Sequence, residues 1–327
     1  MSILEKIRDK ASERLRKIVL SESADQRTID AVNYILDHGI AKPILIGKDD
    51  VRGRITSKNT KDFQLIDPEN YKDTEDFISE YYGMRKAKGI TSEEARQTIK
   101  GEYVTFGAML VRRGLADGFV SGADHTTPDI IRAALRCLRI DKKIGVVSGA
   151  FLMEAPNSVY GDNGVFVFAD CGVNPDPNSR QLAGIAVSSA ALFRQLTGKA
   201  PKVALLSYSS KGSARGPKVD NVVEAVRMAK EMEPGLSIDG EFQVDSAIVP
   251  EVAKIKCPDS EVAGHANVLI FSDLNSGNIA YKLTQRLANA RAVGPLLQGF
   301  TKPCSDLSRG CSAEDIVDAV AATAVLS

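Results

Sequence analysis

The sequence predicts an α/β protein built from largely parallel sheets. Three observations carry that expectation. Short apolar, β-branched runs recur along all 327 residues, and longer stretches with helical spacing separate them. The runs are apolar throughout instead of alternating with polar residues, as in strands covered on both faces. At 43% hydrophobic and 26% charged residues, the composition is that of a globular protein, and the length suits about two domains.

Taken in order, the N-terminal segment MSILEKIRDKASERLRKIV alternates apolar and charged residues at helical spacing. Apolar runs then mark strands at Lys17–Leu20, Pro43–Ile46, Phe63–Ile66, Gly118–Val120, Ile144–Ser148, Val165–Ala169, Val203–Tyr208 and Val268–Ser272. Between them, helical periodicity marks Asp25–His38, Ser92–Lys100, Tyr103–Arg113, Pro128–Leu138, Ser179–Leu196, Val219–Met232, Gly277–Ala288 and Glu314–Ala324. His38 falls at a helix C-terminus, where a cation complements the dipole. The charged stretch Arg139–Lys143 and the turn Val293-Gly-Pro295 are the expected domain crossings.

Charge and motifs exclude several classes. The 42 Lys+Arg balance 42 Asp+Glu, which argues against a protein that gathers nucleic acid or anionic membrane by overall charge. The best apolar stretch, Ala313 to Leu326, is short and carries Glu314, Asp315 and Asp318, so no membrane span is expected. The N-terminus lacks the apolar core of a secretory signal, and Glu5, Asp9 and Glu13 argue against a transit peptide. Cys137, Cys171, Cys257, Cys304 and Cys311 are odd in number and without CxxC spacing, the pattern of reduced thiols in a cytoplasmic protein. There is no Gly-x-Gly, Walker A loop or Gly-x-Ser-x-Gly elbow. His38, His125 and His265 lack zinc spacing, so no metal site is expected.

Four segments carry chemistry. In Asp306-Leu-Ser-Arg-Gly-Cys-Ser-Ala-Glu-Asp315, a hydroxyl, a guanidinium and a carboxylate fall near a helix start. The arginine suits a phosphate there, and free helix amides reinforce an anion site. Ser312-x-x-Asp315 equally fits a capping box, and on the residues alone capping is the favoured role of Asp315. Ser121-Gly-Ala-Asp-His-Thr-Thr-Pro-Asp129 follows a strand and opens a helix, with Thr127 as N-cap and Pro128 at the first helical position. That is either the ligand edge of an open sheet or an ordinary βα turn. Ser207–Pro217 offers hydroxyls, glycines and two cations, suiting an anion loop or a solvated one. In Ser272–Asn278, Ser276 is placed to cap a helix carrying Lys282 and Arg286 one turn apart. Cys311, near a helix start, is either activated or an inert buried thiol.

Together these segments make the chain resemble the phosphate acetyltransferases (phosphotransacetylases) of the phosphate acetyl/butyryltransferase family over essentially its whole length. The resemblance rests on SGADHTTPDIIRAAL, FADCGVNPDPNSRQLAGIA, VALLSYSSKGSARGPKVD, IDGEFQVDSAIVPEVA, DSEVAGHANVLIFSDLNSGNIAYKLTQR and GPLLQGFTKPCSDLSRGCSAED, in that order. His265 and Ser272 depart from the residues the family commonly has.

The resemblance implies two α/β/α three-layer domains with an interdomain cleft, 1–141 with 295–327 and 142–294. It implies reversible acetyl transfer, acetyl-CoA plus phosphate giving acetyl phosphate plus CoA, through a ternary complex. CoA is then a substrate, and no cofactor is tightly bound. Asp315 becomes the base for the CoA thiol, Arg309 the phosphoryl ligand and Ser308 the hydrogen-bond donor to the reacting carbonyl. Arg85 and Arg132 become CoA phosphate ligands and Arg286 a further substrate arginine. Ser121, Thr126, Thr127, Ser213, Asn278 and Lys282 are further candidates. A cytoplasmic homodimer, with small-molecule substrates and neither nucleic acid nor membrane as partner, completes the expectation. The rivals are a phosphate butyryltransferase and a non-catalytic CoA-binding regulatory domain.

Overall fold

The amphipathic N-terminus folds as α1 (Ile3–Glu13), burying Leu4, Ile7 and Ala11. In the computed structural model, which describes residues 1–327, there follow β1 (Lys17–Leu20), α2 (Gln26–His38), β2 (Lys42–Ile46), β3 (Gln64–Ile66), α3 (Thr74–Arg85), α4 (Ser92–Gly101), α5 (Tyr103–Arg112), β4 (Gly118–Ser121) and α6 (Thr127–Cys137). The chain then builds β5 (Ser148–Glu154), β6 (Val165–Ala169), α7 (Ser179–Thr197), β7 (Val203–Leu206), α8 (Pro217–Met232), β8 (Ile238–Phe242), α9 (Val244–Ile248), α10 (Pro250–Lys256), β9 (Val268–Ile270), α11 (Leu274–Leu287) and β10 (Arg291–Gln298). It closes with β11 (Cys304–Asp306) and α12 (Ala313–Val325). These elements form two units, Met1–Arg139 with Phe300–Ser327, and Ile140–Gly299.

In the first unit the strands run β3-β2-β1-β4-β11, every pair parallel. Alternation along a strand sends neighbouring side chains to opposite faces. Val19 meets Gly107 of α5, where an added Cβ would come to 2.9 Å. On the other face Gly118 meets Thr323 of α12, at 2.7 Å for the same added Cβ. Both faces are therefore covered, which is why β1, β2 and β4 are mainly apolar. In the second unit the order is β10-β5-β6-β9-β7-β8, with β10-β5-β6 antiparallel and the rest parallel. Phe151, Phe166, Phe168 and Phe271 form its aromatic core, and Phe151 stacks on Tyr281 of α11 at 4.0 Å. No helix is long and apolar enough to cross a membrane.

Several expectations need correction. Ile144–Ser148 is not a strand: Gly145 adopts φ 73°, which breaks extended backbone, and pairing begins at Ser148. Val293-Gly-Pro295 is no domain crossing but part of β10, whose register against β5 shifts between Val293 and Leu296. Proline without an N–H is tolerated in a strand at such an irregularity. Helix α6 is capped by Thr126, not Thr127, because Asp129 stands at the third helical position and accepts from both Thr126 N and its hydroxyl. Helix α11 is capped by Asp273, which accepts from Ser276 N at 2.9 Å, so Ser276 lies inside the helix.

Candidate active site

Parallel strands deliver ligands to their carboxyl ends. In the first unit that edge is formed by Leu20, Ser121 and Asp306 and the loops that follow. The loop after β4 is shaped by Glu22, a buried carboxylate from the loop after β1. Its two oxygens accept from the backbone N–H groups of Gly122 (2.9 Å), Ala123 (2.8 Å), Asp124 (2.8 Å) and His125 (3.1 Å). His125 Nδ1 lies 2.8 Å from the same carboxylate. Burial alone would push Glu22 up. The bond from His125 and the donated N–H groups of Asp124, Ala123 and Gly122 outweigh it and hold the carboxyl below its ordinary range. The bond to Glu22, working against burial, raises His125 above its ordinary value. Ser121 is buried beneath this loop, its hydroxyl 2.6 Å from that of Ser21.

Glu22→Ala is expected to strip these donors of their acceptor. A loss of roughly 3 kcal/mol is expected in urea unfolding at neutral pH. Because the folded carboxyl is depressed, this contribution is present above the ordinary glutamate pKa and fades as pH falls through the folded value. The gap between wild type and variant should therefore narrow in acid; a gap unchanged down to pH 3 would refute the role.

Beside this loop opens a cavity of about 420 Å³ lined by Ser23, Tyr103, Asp124, His125, Arg132 and Arg136, among others. Arg132 is half exposed and pairs with Asp129 at 2.8 Å. Gly101, Glu102 and Arg136 also line a neighbouring hollow of about 590 Å³, which holds Arg85 and Lys88. Arg85 pairs with no carboxylate. Both cavities carry cations on their walls and share Gly101, Glu102 and Arg136.

The segment after β11 supplies the remaining groups. Ser308 and Arg309 are exposed on a turn closed by Cys311 N donating to Ser308 O at 2.9 Å. Ser308 Oγ accepts from Gly310 N at 3.3 Å, which leaves its proton to donate elsewhere. The Arg309 guanidinium has no hydrogen bond or ion pair, whereas the backbone beneath it is tightly held. Arg27 Nη1 donates to Arg309 O and Cys311 O, both at 2.8 Å, and Nη2 to Ala123 O at 2.8 Å. Asp25 braces that guanidinium from the other side. Arg27 thus clamps the two candidate loops together.

Asp315 takes the capping position considered for it. It completes the capping box of α12: its Oδ2 accepts from Ser312 N and Ser312 Oγ, each at 2.8 Å, and its N–H donates back to Ser312 Oγ at 3.1 Å. Its side chain is exposed, and Oδ1 takes no part in the cap. One oxygen holds the helix start while the other stays available to accept a proton. Cys311 is buried, and burial pushes its thiol up to about 11, so it is no activated nucleophile. The other four cysteines are likewise free and buried.

The structure gathers Ser308, Arg309, Asp315, Ser121, Thr126, Thr127, Arg85 and Arg132 into the first unit, with Thr127 bonded to Asp306. Ser213, Asn278, Lys282 and Arg286 belong to the second unit. There Ser213 accepts from Ser210 N at 3.0 Å, Asn278 donates to Cys171 O at 3.1 Å, Lys282 lies over the Tyr281 ring, and Arg286 is exposed without an ion pair. Sequence reasoning missed Glu22, Arg27 and Asp306. The only local sign was a cluster of charged residues just beyond an apolar strand. No group of three or more His, Cys, Asp or Glu is arranged to hold a metal ion.

Comparison with known proteins identifies the family. A family model described as Phosphate acetyl/butaryl transferase matches residues 2–324. A phosphate acetyltransferase of Thermoanaerobacterium thermosaccharolyticum is 49% identical over 326 residues, 99% of this chain and 99% of its own. Another, of Bacillus subtilis, is 42% identical over 97% of each chain. The crystal structure of a phosphotransacetylase from Streptococcus pyogenes superposes with a TM-score of 0.92 at 42% identity, covering 99% of this chain and 97% of that one. The fold alone extends to a branched-chain phosphotransacylase from Enterococcus faecalis, at 17% identity and a TM-score of 0.67 over 96% of this chain and 100% of that one. Whole-length identity at this level, on the fold described, makes the chain a member of the phosphate acetyl/butaryl transferase family and an acyltransferase.

Proposed function

We propose that the chain works as a phosphate acetyltransferase, interconverting acetyl-CoA plus phosphate with acetyl phosphate plus CoA. The observation that carries the reading is the Ser308–Arg309 turn. An unpaired guanidinium and a hydroxyl with a free proton stand on backbone clamped by Arg27, seven residues or fewer from a carboxylate with one open oxygen.

In the direction of acetyl-CoA synthesis, Asp315 Oδ1 takes the proton of the CoA thiol. The thiolate attacks the acetyl carbonyl of acetyl phosphate, Ser308 donates to the oxygen that gains charge, and phosphate leaves into the grip of Arg309. The reverse direction returns the proton to sulfur. Both acyl donors are already activated, so positioning and charge stabilisation carry the rate. A free thiol titrates near 8.5, so a placed base matters at neutral pH. Arg85 and Arg132, on the walls of their cavities, are assigned to the anionic groups of CoA. Arg286 is assigned to substrate binding, with CoA entering as substrate and not as resident cofactor. The family resemblance supports a homodimer acting in the cytoplasm.

The test is phosphate-dependent release of CoA from acetyl-CoA and from butyryl-CoA. Acetyl-CoA is expected to be preferred in kcat/KM by roughly tenfold or more, the range that extra methylenes impose on an apolar pocket. Preference for butyryl-CoA would move the chain to the butyryl branch. Intact CoA binding without turnover would make it a regulatory domain.

A further inference from the structure

Asp306, the last residue of β11, is a fully buried carboxyl that the chemistry above leaves unused. In the parallel register it stands beside Ser121, the last residue of β4. Its Oδ2 accepts from Thr127 Oγ1 in the first turn of α6. Its Oδ1 is buried without any hydrogen-bond partner. Gly122 packs so closely that an added Cβ would fall 2.4 Å from Oδ1 and 2.6 Å from Leu307 N. The next residues in the chain are Leu307, Ser308 and Arg309.

A buried carboxyl with an unfilled oxygen is expensive. The arrangement makes sense if the charge is needed. We propose that Asp306 is a positioning residue of the acetyl-transfer site, whose carboxylate ties Thr127 and the loop after β4 to the strand end carrying Ser308 and Arg309, and that a proton on Oδ1 slackens the tie. This rests on the roles given above to Ser308 and Arg309.

An ionised oxygen accepts hydrogen bonds about twice as strongly as a neutral one. The surroundings set where the change occurs. Burial pushes Asp306 up to about 7, the bond from Thr127 and the nearby N–H of Leu307 oppose it, and the charge of Glu22 adds to the rise. Glu22 is the charged group facing it from the loop after β1, itself bonded to His125; the Cys304 thiol lies along its own strand. The site is therefore expected to tighten as pH rises through neutrality.

The test compares kcat of wild type and Asp306→Asn from pH 6 to pH 8 with acetyl phosphate and CoA, a direction in which inorganic phosphate is not the varied substrate. A carboxyl near 7 is roughly one-tenth ionised at pH 6 and nine-tenths at pH 8. The wild-type-to-variant ratio should climb from about twofold to about tenfold, with KM for CoA little changed. A ratio constant across this range overturns the proposal, since a merely structural role would lower both ends alike.

Thr127→Val supplies an independent reading should the asparagine variant fold poorly. Losing the donor that holds Asp306 down should shift the inflection to higher pH, while Thr127→Ser keeps it in place. An inflection unmoved in Thr127→Val also overturns the proposal. Ser308→Ala and Arg309→Gln separate the two levels of inference. If both abolish turnover while the Asp306→Asn ratio stays flat, only the positioning role falls. If both retain turnover, the site assignment itself is wrong.

Discussion

Asp315→Asn is expected to lower kcat by roughly a hundred- to ten-thousand-fold, the usual worth of a general base. CoA affinity should hardly change. The substitution is informative because of the second task this side chain performs. Oδ2 closes the capping box of α12, and truncation to alanine would lose the cap along with the base. Asparagine keeps one carbonyl oxygen to accept from Ser312 N and Ser312 Oγ. It replaces the open oxygen with an amide that cannot take a proton. Helix α12, whose apolar face is buried against α1, α2 and β4, should therefore melt with the rest of the protein near the wild-type temperature. Stopped-flow or coupled assays of kcat, calorimetric binding of CoA and a thermal melt together decide the matter. A variant with normal melting and nearly normal turnover would leave Asp315 a cap and nothing more.

Much of this site could be read from the chain because its pieces are local. Ser308, Arg309 and Asp315 fall within eight residues, and the loop after β4 is a contiguous run between a strand and a helix start. Strands β1 and β6 were legible because each carries an uninterrupted apolar run, Ile18–Leu20 and Val165–Ala169. Where local signals are mixed, the reading failed. Strand β8 contains Asp239 and Gly240, β10 contains Gly294-Pro295, and β11 is only three residues, so none has the composition of a strand. Their pairing comes from neighbours that the sequence does not place beside them.

The same holds for the residues that set the loops. Glu22 meets the Gly122–His125 amides across a hundred residues, and Arg27 reaches Arg309 across 282. Nothing in periodicity or spacing announces such partners. The capping reading of Asp315 is the one the structure shows, and it leaves the second oxygen for the proposed base role. A single carboxylate has two oxygens, and the structure uses one for the cap.

Arg309→Gln is expected to reduce kcat/KM for phosphate by roughly a hundred- to a thousand-fold, the range seen when one preorganised donor to a developing charge is removed. The reason lies in how this arginine differs from its fellows. Arg96 pairs with Glu75, Arg112 with Glu80 and Arg227 with Glu224, each already neutralised by a carboxylate. Arg309 has no such partner, so a bound dianion displaces water and nothing else. In a chain with 42 cationic and 42 anionic side chains, affinity for anionic substrates cannot come from overall charge and must come from a few placed cations, of which Arg309 is one without a carboxylate partner. The clamp from Arg27 adds preorganisation, since it holds the backbone at Arg309 O and Cys311 O before phosphate arrives. Glutamine can still donate one hydrogen bond but brings neither the charge nor the second parallel N–H. KM for phosphate should rise because phosphate carries its charge when bound, and kcat should fall because the amide no longer holds that phosphate in line for transfer. Arg309→Lys should recover part of the affinity through charge and less of the rate, lacking the planar fork. Phosphate kinetics unaltered in Arg309→Gln, with a wild-type melting temperature, would move the phosphoryl site away from this turn.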